Sequence, residues 1–589
     1  ANVIIGEDAG KNQTTADNNV IIGQGAGEAN TTGNSNVAIG QAALSTNTTG
    51  SNSTAVGYQA AEKATVSITA IGYQSGKDNT TGYDNTYVGQ WSGQNVIGGH
   101  SNTVLGFQAL TTATTAVTNT ALGKNAMRLT TSGADNVAVG QEALDDNTTG
   151  YSNVAVGGNA LLNATTGHNN TAVGRLSMGV GVVTGPFNTA IGRLSLQDIT
   201  SGTKNQMMGA SAGENITTSS NNVAIGTDAM FTQTTATGEN IAIGNEAMRL
   251  NTSGSSQVAV GHKALFANTT GGSNTAVGHS ALIANQTGTL NTAVGKDALG
   301  ANTAGSNTAV GREAMRDNTT GTNNVSMGVS ALSTNTTASD NVAIGVGALR
   351  INTTGAQNTA VGRAALDKNV TTQYNTAVGY QALKETVSNE NAAFGTSAME
   401  DNTSGIRGTG IGPYALANNT SGADNTAVGY TALLDNTTGY SNTALGGNAL
   451  ENATTGHNNT AVGKLSMGVG VVTGPFNTAI GRLSLQDITS GTKNQMMGAS
   501  AGENITTSSN NVAIGTDAMF TQTTATGENI AIGNEAMRLN TSGSSQVAVG
   551  HKALFANTTG GSNTAVGHSA LIANQTGTLN TAVGKDALK

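Results

Sequence analysis

Apolar and polar positions recur along the chain in one phrase that returns about every 17 residues. It is plainest from Asn425 to Ser441, after which Asn442-Thr-Ala-Leu-Gly446 begins it again. As a template it is N-T-A-V-G-x-x-A-L-x-x-N-T-T-G-x-x. The first four letters alternate with a period of two and predict a short strand. Thr or Val at the second position and Val or Ile at the fourth share one face, and Ala takes the other. Hydrophobicity assigns the Val face to the core and leaves the Ala face for close packing against other chains. Ala-Leu, three residues past the glycine, supplies a second small apolar wall. Asn-Thr-Thr-Gly predicts a turn, with Asn bonded to nearby backbone and Gly at positive φ. A helix is disfavoured, because Gly and Asn-Thr-Thr-Gly interrupt the pattern before ~10 helical residues accumulate.

The glycine that ends the strand is a marker for the period. The series opens with Gly6, Gly23, Gly40 and Gly57 and closes at Gly584, giving 35 markers, with 578 residues in 34 steps and a mean of 17.0. Longer steps hold passages such as Met178 to Pro186, repeated at Met467 to Pro475, where proline suits a loop or corner. Residues 166–299 recur as 455–588 with one change, Arg175 to Lys464, at an offset of 289, which is 17 whole units of 17. Copying whole units keeps every face in register. A period held this well predicts an all-β fold: a parallel β-solenoid of about 35 coils, with 1–589 as one continuous solenoid. At ~4.8 Å per coil the stack would be a rod roughly 165 Å long. The thin core and the second small-residue face predict a side-by-side homotrimer. The chain opens and stops inside a repeat, which reads as part of a longer array.

Composition narrows the class. Eighty-one glycines with three prolines and 37% apolar residues, without a Gly-X-Y period, exclude collagen and a disordered tract. Aromatics are only 3% of the chain, so Ala, Val, Ile and Leu must fill the interior. The net charge of -9 is spread thinly, with no basic stripe to neutralise phosphates, and nucleic acid is not an expected partner. No stretch of roughly 18 apolar residues predicts a membrane span or membrane contact by this segment. The chain has no cysteine, so it does not rely on disulfides.

Ser35-Asn-Val-Ala-Ile-Gly40, Asn221-Asn-Val-Ala-Ile-Gly226 and Asp340-Asn-Val-Ala-Ile-Gly345 resemble the Ser-Val-Ala-Ile-Gly core of head repeats in trimeric autotransporter adhesins. The full phrase, as at Asn375 and Asn425, is similar to repeats of phage tail-fibre and tail-fibre-like bacterial surface proteins. The resemblance spans the chain and implies left-handed parallel β-rolls, three side by side, displayed outside the cell. The unit departs from the adhesin heads in its greater length and its Asn-Thr-Thr-Gly turn.

A solenoid shows each position as a ladder, so a working site would be a set of aligned polar residues. His262 and His279 are 17 apart, with His551 and His568 as their copies. Two imidazoles without a third ligand read as an exposed polar ladder, and no metal is expected. Glu142, Asp145, Asp146 and Asp435 could act as paired acids in a polysaccharide-cleaving cleft, but their scatter reads as a solvated edge. No catalytic residue, cofactor site or metal site is assigned, and no enzyme is expected. Paired threonines such as Thr48-Thr49 and Thr437-Thr438 are similar to the hydroxyl arrays of ice-binding solenoids, though adjacent residues alternate faces. Asn47 and Asn436 stand in N-glycosylation acceptor patterns. Trp91, Tyr58, Tyr380 and Tyr430 could stack on sugar rings, with local packing as the plainer reading. The expected role is a structural, extracellular, trimeric fibre shaft that displays or contributes to surface adhesion, on a cell-surface filament or a virion tail fibre, with an ice-binding or glycan-binding solenoid with a repeated Thr/Asn surface as the alternative. Expected partners are the chain's own copies and a glycan or protein on a host or neighbouring cell.

Overall fold

The computed structural model describes residues 1–233, 238–523 and 527–589. Every regular element among them is a β-strand, so no helix there is long and apolar enough to cross a membrane. The chain divides into two units, Ala1–Lys296 and Asp297–Lys589. The first runs from β1 (Val3–Ile5) to β18 (Thr292–Val294), and the second from β19 (Thr308–Val310) to β35 (Thr581–Val583). Within each unit every strand pairs in parallel with the next in sequence, like position against like position. Thr275 lies beside Thr292 and Val277 beside Val294 in the first unit, and Thr426 beside Thr443 and Val428 beside Leu445 in the second. Each unit is therefore a parallel β-solenoid with one coil per phrase.

The strands are inverted relative to the hydrophobicity argument. The middle residue, expected outside, is buried, and the Val and Thr on either side face outward. Ala276 has no exposed surface, whereas Thr275 and Val277 are half-buried. Space decides this against hydrophobicity. The column is one side chain deep, and the strand's middle residue meets the residue four past the marker glycine, which is most often Leu or Met. Opposite that bulk only a small side chain fits. Where the strand offers Ile, Tyr or Met, the facing position is glycine: Ile21 with Gly27, Tyr87 with Gly93, Met207 with Gly213, Met496 with Gly502; Val104, opposite Leu110, is the largest middle residue set against a leucine. A Cβ on Gly93 would lie 2.4 Å from the Tyr87 ring, and one on Gly213 2.9 Å from the Met207 sulfur.

The buried Leu or Met sits in the left-handed region, with φ near 51° at Leu44 and Leu265 and 48° at Met315. Such a φ costs ~1–2 kcal/mol in an L-residue and is worst when the side chain is β-branched. Leu, Met, Ala and Gly occupy this position in every coil, and Val, Ile and Thr never do.

Two asparagine ladders complete the interior. Asn136, just before its strand, accepts from the Asn153 backbone N–H at 2.9 Å and donates to the Gly150 carbonyl of the next coil at 2.9 Å. The turn asparagines form the other ladder. Asn335 donates to Asn318 Oδ1 at 2.7 Å and accepts from Asn352 at 3.0 Å. Amides suit this place because each carries both donors and acceptors, and a buried amide without partners would cost ~1–3 kcal/mol.

The turn glycine is not where positive φ is needed. Gly50 lies outside the left-handed region, and glycine is required there because a Cβ would stand 2.6 Å from the Thr65 carbonyl of the next coil. Positive φ belongs to the marker glycine. Gly261 has φ 135°, and a Cβ on it would come within 2.5 Å of the Gly278 oxygen.

Candidate functional surface

With Ala and Asn turned inward, the outer surface presents three columns of aligned side chains. The broadest is the flat outer face of the sheet. Its two rows hold the first and third strand residues, mostly Thr or Val in one and Val, Ile, Leu or Met in the other. Ile191, Met208 and Ile225 follow one another along it, and Phe394 and Ile411 do so in the second unit, all with over a third of their surface exposed. The stripe is uncharged in both units, with its third-residue row apolar and its first-residue row mostly Thr or Val, broken by Gln206 and Gln495.

A second column follows the marker glycine at the corner of the coil. Here His262 and His279 stack at 5.0 Å, and His551 and His568 lie 5.1 Å apart. His279 contacts the Ser280 hydroxyl through Nδ1 at 3.0 Å, and His568 contacts Ser569 likewise. Among the described residues no three His, Asp or Glu side chains gather in a way that could hold a metal ion.

The same corner brings together aromatics that look isolated in the sequence. Tyr58 stacks on Tyr73 at 5.1 Å, Trp91 meets Tyr73 edge-on at 6.1 Å, and Phe107 meets Trp91 at 5.3 Å. Trp91 hides the row from a sequence reading because it stands two residues past its glycine where the others stand one. In the second unit Tyr430 contacts Tyr414 edge-on at 6.4 Å, and Tyr380 is exposed. A further aromatic column lies just past the turn. Tyr151 stacks on His168 at 4.6 Å and Phe187 meets His168 at 5.5 Å, an arrangement repeated by Tyr440, His457 and Phe476.

The carboxylates do not converge on one cleft. Asp145 is held in a two-pronged ion pair by Arg128, at 2.9 and 2.8 Å. Burial pushes the neighbouring Asp146 carboxyl above its ordinary value, with Asp145 adding to the effect. A hydrogen bond from Gln141 leads the interactions that hold Glu142 below the usual range, and Asn159 also donates to it at 3.0 Å. Asp435 accepts from Asn418 at 2.8 Å.

Thr437 and Thr438 split as their alternation requires, while Thr48 and Thr49 are both exposed. Thr437 donates its hydroxyl to the Thr454 carbonyl of the next coil at 3.0 Å, as Thr131 does to Thr148 and Thr336 to Thr353, whereas Thr438 is exposed. Asn47 and Asn436 are buried and donate to Gly50 and Gly439 of their own turns at 2.9 Å. The acceptor pattern there is met by a side chain folded into the column, away from any glycosylating enzyme. Neither protein-family models nor curated proteins give a match to this chain.

Proposed function

We propose that the chain is part of the shaft of an extracellular fibre, on a cell surface or a virion tail, in which three copies pack side by side along the outer sheet faces. The observation that carries this reading is the apolar stripe of Thr/Val and Val/Ile/Leu/Met that both units turn outward. A stripe of that kind is a surface for association, since exposed apolar area on a soluble protein is otherwise an aggregation hazard. The resemblance of the Asn-Val-Ala-Ile-Gly units to adhesin heads supports threefold packing and display outside the cell. The mechanism is mechanical: backbone hydrogen bonds repeated from coil to coil resist bending, and Asn, Thr, Ser and Gly keep the remaining surface hydrated.

The test places charge on the stripe without touching the core. Ile191→Lys, Met208→Lys and Ile225→Lys, made together with the same changes at their copies Ile480, Met497 and Ile514, should leave strand content unchanged and reduce the native mass to that of one 58.4 kDa chain. An unaltered trimer in that variant, or a monomeric parent, would refute the packing.

The stripe also gives ice binding a specific observation. Thr426, Thr443, Thr460 and Thr478 stand outward on consecutive coils. Thermal hysteresis of the purified protein would support that second reading, and its absence would leave the shaft.

A further inference from the structure

We infer that the aromatic corner of residues 58–108 is a binding site for a neutral oligosaccharide, lying along the coils beside the shaft face. The inference goes beyond the shaft reading and does not depend on it, since a single column carries the same corner.

Four consecutive coils place Tyr58, Tyr73, Trp91 and Phe107 in one row, with ring centroids 5.1, 6.1 and 5.3 Å apart. Tyr58 and Tyr73 are nearly parallel, at 15°, and cover each other's faces. Trp91 breaks the stack. Its indole stands at 82° to Tyr73 and 61° to Phe107, so neither neighbour lies flat on it, and it is half-buried. Tyr58, Tyr73 and Phe107 on either side are exposed, and an exposed aromatic row is a surface on which the C–H face of a sugar ring packs, through apolar contact and the negative ring face.

Amides hold the indole there. Trp91 Nε1 donates to Gln74 Oε1 at 3.0 Å, Gln94 Nε2 donates to the same oxygen at 3.1 Å, and Gln74 Nε2 donates to Gln59 Oε1 at 2.7 Å. Gln90, exposed, and Gln108, half-buried, extend the amide border. A site of aromatic platforms with a few fixed polar groups is the usual make-up of a small-molecule site, and amides meet hydroxyls as both donors and acceptors.

Beyond Gln94 the surface falls into a depression of about 300 Å³ lined by Lys63, Asp78, Thr80, Asn95 and Ile97. It borders the chain's shortest coil, the 15 residues from Gly57 to Gly72. Its two charges neutralise each other in a 2.6 Å ion pair. Nucleobases and sugars both stack on such a row. With every charge here paired and the chain carrying -9 overall, a phosphate backbone has no partner, and the uncharged sugar remains.

Trp91 is the only tryptophan, so its emission reports this site alone. The full chain is titrated with cellohexaose, mannohexaose and the N-acetylglucosamine hexamer at up to millimolar concentration. The inference expects a saturable change in emission with at least one of them. Gln74→Ala should weaken the response about tenfold with the circular dichroism of the parent. Gln94→Leu serves as a second variant should Gln74→Ala fail to fold. No saturable change with any neutral hexasaccharide, a response to oligothymidylate in their place, or a sugar response untouched in both variants would overturn it.

Discussion

A buried asparagine does in this chain what a hydrophobic residue does in most cores. Asn358 accepts from the Asn375 backbone N–H at 3.0 Å and donates to the Thr372 carbonyl at 2.8 Å. Asn358→Leu keeps the bulk and strands both groups, and should lower stability by ~1–3 kcal/mol for each, read by denaturant unfolding. Glycine gives a sharper contrast. Gly261→Ala meets both a φ of 135° and a carbonyl 2.5 Å from the new Cβ, and the backbone strain alone costs ~1–3 kcal/mol. Gly447 has open space around it and no positive φ, so Gly447→Ala should be neutral or stabilise by ~0.4–1 kcal/mol. Equal losses at the two glycines would refute the close approach of successive coils.

At the scale of the element, each coil's interior behaves as a fixed volume shared between the strand's middle residue and the residue four past the glycine. Tyr87→Ala should cost ~3–5 kcal/mol by opening a cavity. Gly93→Leu, set into that cavity at a backbone position that takes Leu elsewhere, should return part of the loss. Alone in the parent, Gly93→Leu should be destabilising, because its side chain runs into the Tyr87 ring. The thermal midpoints of the four proteins would show the coupling, and additive effects would rule it out.

The same element shows what could be read in the sequence. The period, the strand position and the parallel rungs follow from the marker glycines and the two-residue alternation. The side of the strand that faces inward does not, because Val outranks Ala in hydrophobicity and only the width of the column reverses the choice. The glycines paired with Ile21, Tyr87 and Met207 carried that information, and so did the absence of β-branched residues at the position four past the marker glycine. The turn asparagines were legible as local hydrogen bonders but not as buried ones. The aromatic corner was illegible because Trp91 enters it one position out of step.

At the scale of the whole molecule the interior ladders are neutral amides, so folding is only loosely tied to pH. Burial raises the carboxyls of Asp146, Asp401 and the duplicated pair Asp198 and Asp487. These groups favour the folded state increasingly as pH falls through their folded values toward the unfolded value near ~4. Glu142 and Asp424 are held low, first by Gln141 and Arg407 respectively, and their contribution is lost only as pH falls below the unfolded value. The melting temperature should therefore hold or rise slightly from pH 7 to about 4 and decline below that. A steep fall between pH 7 and 5 would contradict this assignment of signs.

The copy of 166–299 at 455–588, changed only from Arg175 to Lys464, repeats the same stretch of outward stripe and the same pair of corner histidines from one unit to the other. Side-by-side association then needs a single kind of contact along both. Cryo-electron microscopy of the native particle tests this most directly. The account predicts rungs ~4.8 Å apart in three columns that meet along the Thr/Val and Val/Ile/Leu/Met rows, with Ala inside each column. Single columns with that stripe open to solvent, or columns meeting through the aromatic corner, would contradict it.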